Sequence, residues 1–122
     1  MKIIYNGEEL NLQPTQRMWF IYENVTNETF DATKDSYTNS TTLIYAAIKA
    51  AIQRKNIKEH LDINENIALN DVLEFIDDNG GLMFTARFSK WLEEEVTKQA
   101  EAIRHMDDIK APEEDDSTTK KK

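Results

Sequence analysis

The sequence predicts a mainly α fold: a small bundle of about four helices behind a short N-terminal β-hairpin, with a loose charged tail. Three observations carry this. Asn6-Gly7 is flanked by two short runs of alternating apolar residues. Four later stretches repeat their apolar residues at helical spacing. The last dozen residues have no large apolar side chain to hold them down. The expected organisation is one domain over residues 1–106, followed by a disordered tail over 107–122.

The hairpin comes first. Lys2 to Tyr5 and Glu8 to Leu12 surround Asn6-Gly7, a pair that accepts the positive φ angles of a type I′ turn. An isolated hairpin is marginal in water, so this one must lie on helices or pair with another strand. Its outer edges are open to a partner strand unless the fold covers them.

Thr15 is the expected N-cap of a first helix ending near Val25. Met18, Ile21, Tyr22 and Val25 fall at i, i+3, i+4 and i+7 and form one stripe. Trp19 lies beside that stripe and Phe20 roughly opposite, which calls for a second packing surface, supplied either by the hairpin or by a partner protein. Residues 26–41 read as a loop anchored by Phe30 and Tyr37, with a strand or turn near Thr29 to Ala32. The next helix, from about Ser40 to Arg54, runs Leu43-Ile44-Tyr45-Ala46-Ala47-Ile48-Lys49-Ala50-Ala51-Ile52. It is apolar around more than half its girth, as a central helix packed on several sides would be.

A connector with Ile57 and Leu61 leads to a short helix capped by Asn70, with Val72, Leu73, Phe75 and Ile76 inward and Gly80-Gly81 as its stop. The last helix, about Leu82 to His105, places Phe84, Phe88, Trp91, Leu92, Val96, Ile103 and Met106 on one stripe. Met83 falls off that stripe, and Glu94 and Lys98 form an i, i+4 pair.

Composition narrows the function classes. The 122 residues include fifteen basic and twenty-three acidic side chains, a formal charge of -8, and no cysteine. Disulfides, a thiolate nucleophile and a cysteine zinc site are thereby excluded. No apolar run approaches the roughly 20 residues that cross a bilayer. The opening turns polar too early for a secretory leader, so a cytoplasmic protein without a membrane partner is expected, and the sequons at Asn24, Asn27 and Asn39 are read as chance. The charge is concentrated. Glu59, Asp62, Glu65, Asp71, Glu74, Asp77 and Asp78 share the segment 59–78 with no Lys or Arg. This acidic surface repels phosphates, so no nucleic acid is expected as a partner; it favours a basic one.

The chemistry-bearing patterns fall short of an active site. Asp62-Ile63-Asn64-Glu65-Asn66 resembles the opening of a calcium loop, but Ile67 stands where Gly is needed and Leu73 where the bidentate Glu belongs. His60 and His105 fit no metal spacing and read as exposed helix residues. Asp77-Asp78 and Glu93-Glu94-Glu95 are adjacent on helices and point apart. Asn79-Gly80-Gly81 lacks the spacing of a phosphate loop. No enzyme, metal or cofactor is expected.

The order of parts resembles a family. A Lys2-Ile3-Ile4-Tyr5-Asn6-Gly7-Glu8-Glu9-Leu10-Asn11-Leu12 hairpin is followed by an aromatic-rich helix closing on Tyr22-Glu23-Asn24-Val25-Thr26, then Phe30-Asp31, an Ala/Leu/Tyr-rich helix, an acidic helix and a charged tail. This is similar to the tail assembly chaperones of long-tailed (siphovirus-like) phages and prophages. Where that family often has Gly after the first helix, this chain has Asn27-Glu28-Thr29. The resemblance implies a small, mainly helical protein of the host cytoplasm that coats the aggregation-prone tape measure protein and helps recruit tail tube subunits. Members of that family frequently occur in two lengths, the longer made by ribosomal frameshifting near the end of the shorter reading frame; Lys120-Lys121-Lys122 would suit an A-rich slippery sequence and is equally an ordinary ending.

For that role the candidate contacts are Trp19, Phe20 and Met83, with the acidic segment keeping the complex soluble and attracting basic client residues. Self-association through the hairpin edge or the final helix would multiply weak contacts into a homo-oligomer. The alternative is an acidic inhibitor that mimics DNA, using the carboxylates between Glu59 and Asp78 against a basic nucleic-acid-binding protein.

Overall fold

A hairpin and four helices follow one another in the computed structural model, which describes residues 1–31 and 36–110, the last four as backbone only. Strands β1 (Lys2–Tyr5) and β2 (Glu8–Asn11) pair antiparallel, with Ile3 opposite Leu10 and Tyr5 opposite Glu8. Asn6 and Gly7 both take positive φ, 50° and 80°, as a type I′ turn requires. Ile3, Tyr5, Leu10 and Leu12 turn inward, and Ile4 turns out.

Helix α1 (Gln16–Thr26) begins where Thr15 Oγ1 accepts a hydrogen bond from the Met18 amide at 3.2 Å. It ends at Asn27, whose left-handed backbone (φ 58°) sends its N–H to the Glu23 carbonyl at 2.7 Å. Met18, Ile21 and Tyr22 are buried as the stripe requires, but Val25 is exposed. Phe30 folds back against Trp19 and Tyr22, with ring centroids 5.6 and 5.5 Å away, so cover at this end of the helix comes from Phe30. Of the strand or turn expected near Thr29, the structure has a bend at Asn27–Glu28 and irregular chain at 29–31; Ala32 lies outside the described residues.

Helix α2 (Tyr37–Glu59) is longer than its apolar pattern at both ends. Ser36 caps it by accepting from the Asn39 amide at 3.1 Å, and His60, at φ 54°, closes it. Tyr37 is therefore an exposed first-turn residue, not a loop anchor, and Ile57 belongs to the helix. Leu43, Ile44, Ala46, Ala47, Ile48, Ala50, Ala51 and Ile52 are all buried. Helix α1, strand β2 and helix α3 (Leu69–Asp78) each pack on α2, the arrangement that its broad apolar girth predicts.

The connector from Leu61 to Ala68 is held by α2. The Asn56 side chain donates to the Ile63 carbonyl and accepts from the Ile63 amide, both at 2.9 Å. Gln53 donates to Glu65 Oε1 at 2.9 Å. Helix α3 is capped at Ala68, not at Asn70: Ala68 has no polar side chain to cap with, but the Asp71 carboxylate reaches back to accept from the Ala68 amide at 3.4 Å, one half of a capping box. Val72 and Ile76 are buried and Phe75 is half-buried, with its ring 5.4 Å from Tyr5 and 5.3 Å from Phe84. Leu73 is exposed, because it lies about 100° around so short a helix from Val72. Gly80 and Gly81 take φ 114° and 58° and end it.

Helix α4 (Leu82–Lys110) continues past the expected end at His105, so the backbone is helical through residues 107–110 of the predicted tail; residues 111–122 lie outside the described residues. The chain divides into two units, Met1–Trp91 and Leu92–Lys122, at a boundary inside this helix. In the first unit Phe84 and Phe88 are buried and Trp91 rests on Phe88 at 5.6 Å. In the second, Leu92 is buried, but Val96, Ile103 and Met106 of the expected stripe are exposed. Lys98 pairs with Glu95 at 3.3 Å, one residue closer than the anticipated Glu94.

Candidate interaction surface

The three apolar candidates meet different fates. Trp19 is half-buried, its ring occupied by Phe30 of the segment after α1, and the hairpin is not its partner in that contact. Phe20, one position on, is 64% exposed, and Met83, in the first turn of α4, is 73% exposed. The two exposed candidates thus belong to separate helices, with Phe20 on α1 and Met83 on α4.

The acidic candidates share one stretch of chain. Glu59, Asp62, Glu65, Asp71, Glu74, Asp77 and Asp78 are all exposed. Glu65 and Asp71 are tied by the local hydrogen bonds from Gln53 and Ala68. Among the described residues no ion pair engages any of the seven, since the two salt bridges there are Lys55–Glu8 and Lys98–Glu95. Their negative field is therefore directed into solvent.

Helix α3 adds what the charge pattern alone does not show. Leu69 and Leu73, one turn apart, are both exposed, and Asp77 follows one turn later on the same face. Two leucines thus sit among Glu74, Asp77 and Asp78. Leu82, 66% exposed, opens α4 next to Met83. The signal was present in the sequence: a ten-residue helix with apolar residues at 69, 72, 73, 75 and 76 has more apolar girth than one contact with α2 can cover.

Two tyrosines carry perturbed acidities. Burial, then the Asp71 and Tyr45 charges, push the Tyr5 phenol above its ordinary 10.0, and its buried hydroxyl has no hydrogen-bond partner among the described residues. Burial, then Glu28, raises Tyr22 in the same direction. Both are core groups on the inner side of the hairpin and of α1. His60 and His105 are exposed. Among the described residues no three His, Cys, Asp or Glu side chains are grouped as a metal site. None of the described helices is long and apolar enough to cross a membrane.

No protein-family model, no curated protein and no solved structure matches the chain.

Proposed function

We propose that this protein is a tail assembly chaperone of the long-tailed phage type, binding a hydrophobic, helical tape measure protein in the host cytoplasm and assisting addition of tail tube subunits. One observation carries the reading beyond the resemblance: exposed leucines and exposed carboxylates lie side by side on α3. An amphipathic client helix with basic flanks meets there both an apolar contact and a matching charge. Phe20, Leu82 and Met83 extend the apolar supply onto α1 and α4. Several copies acting along one client would turn individually weak contacts into stable coverage.

The test is co-expression with the long hydrophobic coiled-coil-like protein encoded beside this gene. The expected result is soluble client carrying several copies of the chain. The double variant Leu69→Asp/Leu73→Asp, folded by circular dichroism, leaves the client insoluble. Solubility unchanged by that variant, and by Phe20→Ser with Met83→Ser, overturns the reading.

A second reading, an acidic inhibitor that mimics DNA, is favoured by one observation: seven exposed carboxylates within 59–78, none in an ion pair with a described residue. Such a complex weakens steeply with salt, because charge alone holds it.

A further inference from the structure

The hydrogen bonds of the hairpin leave one strand edge open. The Leu12 amide donates to the Met1 carbonyl at 2.8 Å, and the Met1 amine donates to the Leu12 carbonyl at 3.2 Å. In an antiparallel ladder such bonded pairs alternate with non-bonded ones, so Ile3 with Leu10 and Tyr5 with Glu8 exchange the next bonds. The backbone groups of Lys2 and Ile4 then face away from β2. On the far side of β2, Lys55 Nζ donates to the Glu9 carbonyl at 2.8 Å and covers part of that edge. On the β1 side the N–H and C=O groups of Lys2 and Ile4 meet no hydrogen-bond partner among the described residues.

A groove lies along this edge, lined by Lys2 and Ile4 on one side and by Phe75, Asn79, Phe84 and Arg87 on the other. Its charge is opposite to that of the chain as a whole. Lys2 and Arg87 are exposed cations without an ion pair among the described residues, and Glu9 is the one acid in the lining. Arg87 lies over the Phe84 ring at 5.8 Å and donates only a long 3.4 Å bond to the Asn79 carbonyl. Ile4 stands 68% exposed beside Lys2.

We infer that the outer edge of β1 binds an extended acidic peptide of a partner protein, which adds as a third strand. Main-chain bonds to Lys2 and Ile4 supply affinity, and alternate side chains reach the Phe75 side of the groove or the cations at its rim. Charge selects the occupant. A second copy paired through β1 would bring four basic side chains together against two acidic ones, whereas an acidic strand neutralises Lys2 and Arg87. This inference rests on the β1 edge and the groove beside it, and stands or falls separately from the chaperone reading.

The probe is a fluorescein-labelled heptapeptide of alternating Val and Glu, titrated with the full chain by anisotropy. Saturable binding is expected, weakened about tenfold by Lys2→Pro, which removes both an outward N–H and the Lys2 charge and leaves the β1–β2 bonds in place; the part due to the N–H persists at high salt. Arg87→Glu weakens it as well, and high salt erases that difference. If Lys2→Pro disturbs the hairpin, the same peptide N-methylated at alternate amides makes the equivalent cut from the ligand side, with the same expected loss. Absence of binding, or equal binding of the N-methylated peptide, overturns the inference. So does a dimer, seen by light scattering, that Lys2→Pro dissolves, because the edge would then belong to a second copy.

Discussion

Tyr5→Phe should stabilise the protein, which is an unusual direction for a change in a core. Tyr5 is 4% exposed, its ring packs against Phe75 at 5.4 Å, and its hydroxyl is buried without a hydrogen-bond partner among the described residues. Phenylalanine keeps the ring contact and removes the stranded polar atom. Desolvating an unpaired hydroxyl costs about 1–3 kcal/mol. The small void left behind returns roughly 0.5–1 kcal/mol of that. A net gain of about 1 kcal/mol follows, worth about 4 °C in melting temperature for a domain of this size. Thermal and urea unfolding followed by circular dichroism would measure it at neutral pH.

The alkaline limb adds a signed check. Because burial raises the phenol of Tyr5 above 10.0, the unfolded chain ionises first as pH rises. Stability is full below the unfolded value and falls as pH climbs through the raised folded one. Tyr22 contributes a fall of the same sign. Tyr5→Phe should flatten the decline without abolishing it. A variant that is less stable than the parent at pH 7, or one whose alkaline decline is as steep as before, would refute the reasoning.

Other outcomes follow from the same packing. Phe88→Ala empties a fully buried site and should cost about 3–5 kcal/mol in urea unfolding. Ser36→Ala removes the cap of α2 and should cost about 1 kcal/mol, measured the same way. Gly7 has open space around it but a φ of +80°, so Gly7→Ala should cost about 1 kcal/mol through backbone strain alone. Leu73→Asp, at an exposed position, should change stability by less than about 0.5 kcal/mol while weakening client binding.

Local chemistry made some elements legible. Asn6-Gly7 dictated the hairpin because few residue pairs accept two positive φ angles; Gly80-Gly81 marked a helix end for the same reason, and Thr15 marked a helix start because its hydroxyl can accept from a first-turn amide. The girth of α2 announced a central helix, since nine buried residues leave little polar surface along its middle. Long-range cover was not legible. Spacing put Val25 on the buried stripe of α1 and left the cover of Trp19 to the hairpin or a partner; only the return of the chain after Asn27 brings Phe30 onto Trp19 and Tyr22 and leaves Val25 outside. The Asn56 clasp on Ile63 joins residues seven apart, with no periodic signal. The first turn of α2 is polar, so its start depended on Ser36, one of many caps available in a Ser- and Thr-rich stretch. At the candidate surface, exposure of Phe20 and Met83 was readable from helical spacing. So was a surplus of apolar girth on α3, but which of its residues stay outside was not: Leu73 read as inward and is exposed with Leu69, because how much of α3 reaches α2 is a property of packing.

The central claim is that apolar contact, guided by acidic charge, binds a hydrophobic helical client. Its most direct test is the mass of the purified co-expressed complex by light scattering, from about 0.1 M to about 1 M salt, where screening shortens from about 10 Å to about 3 Å. The account predicts that several copies stay on the client at the highest salt and leave when Leu69 and Leu73 become Asp. A complex that falls apart with salt alone, indifferent to the leucines, would contradict it and point to the acidic inhibitor.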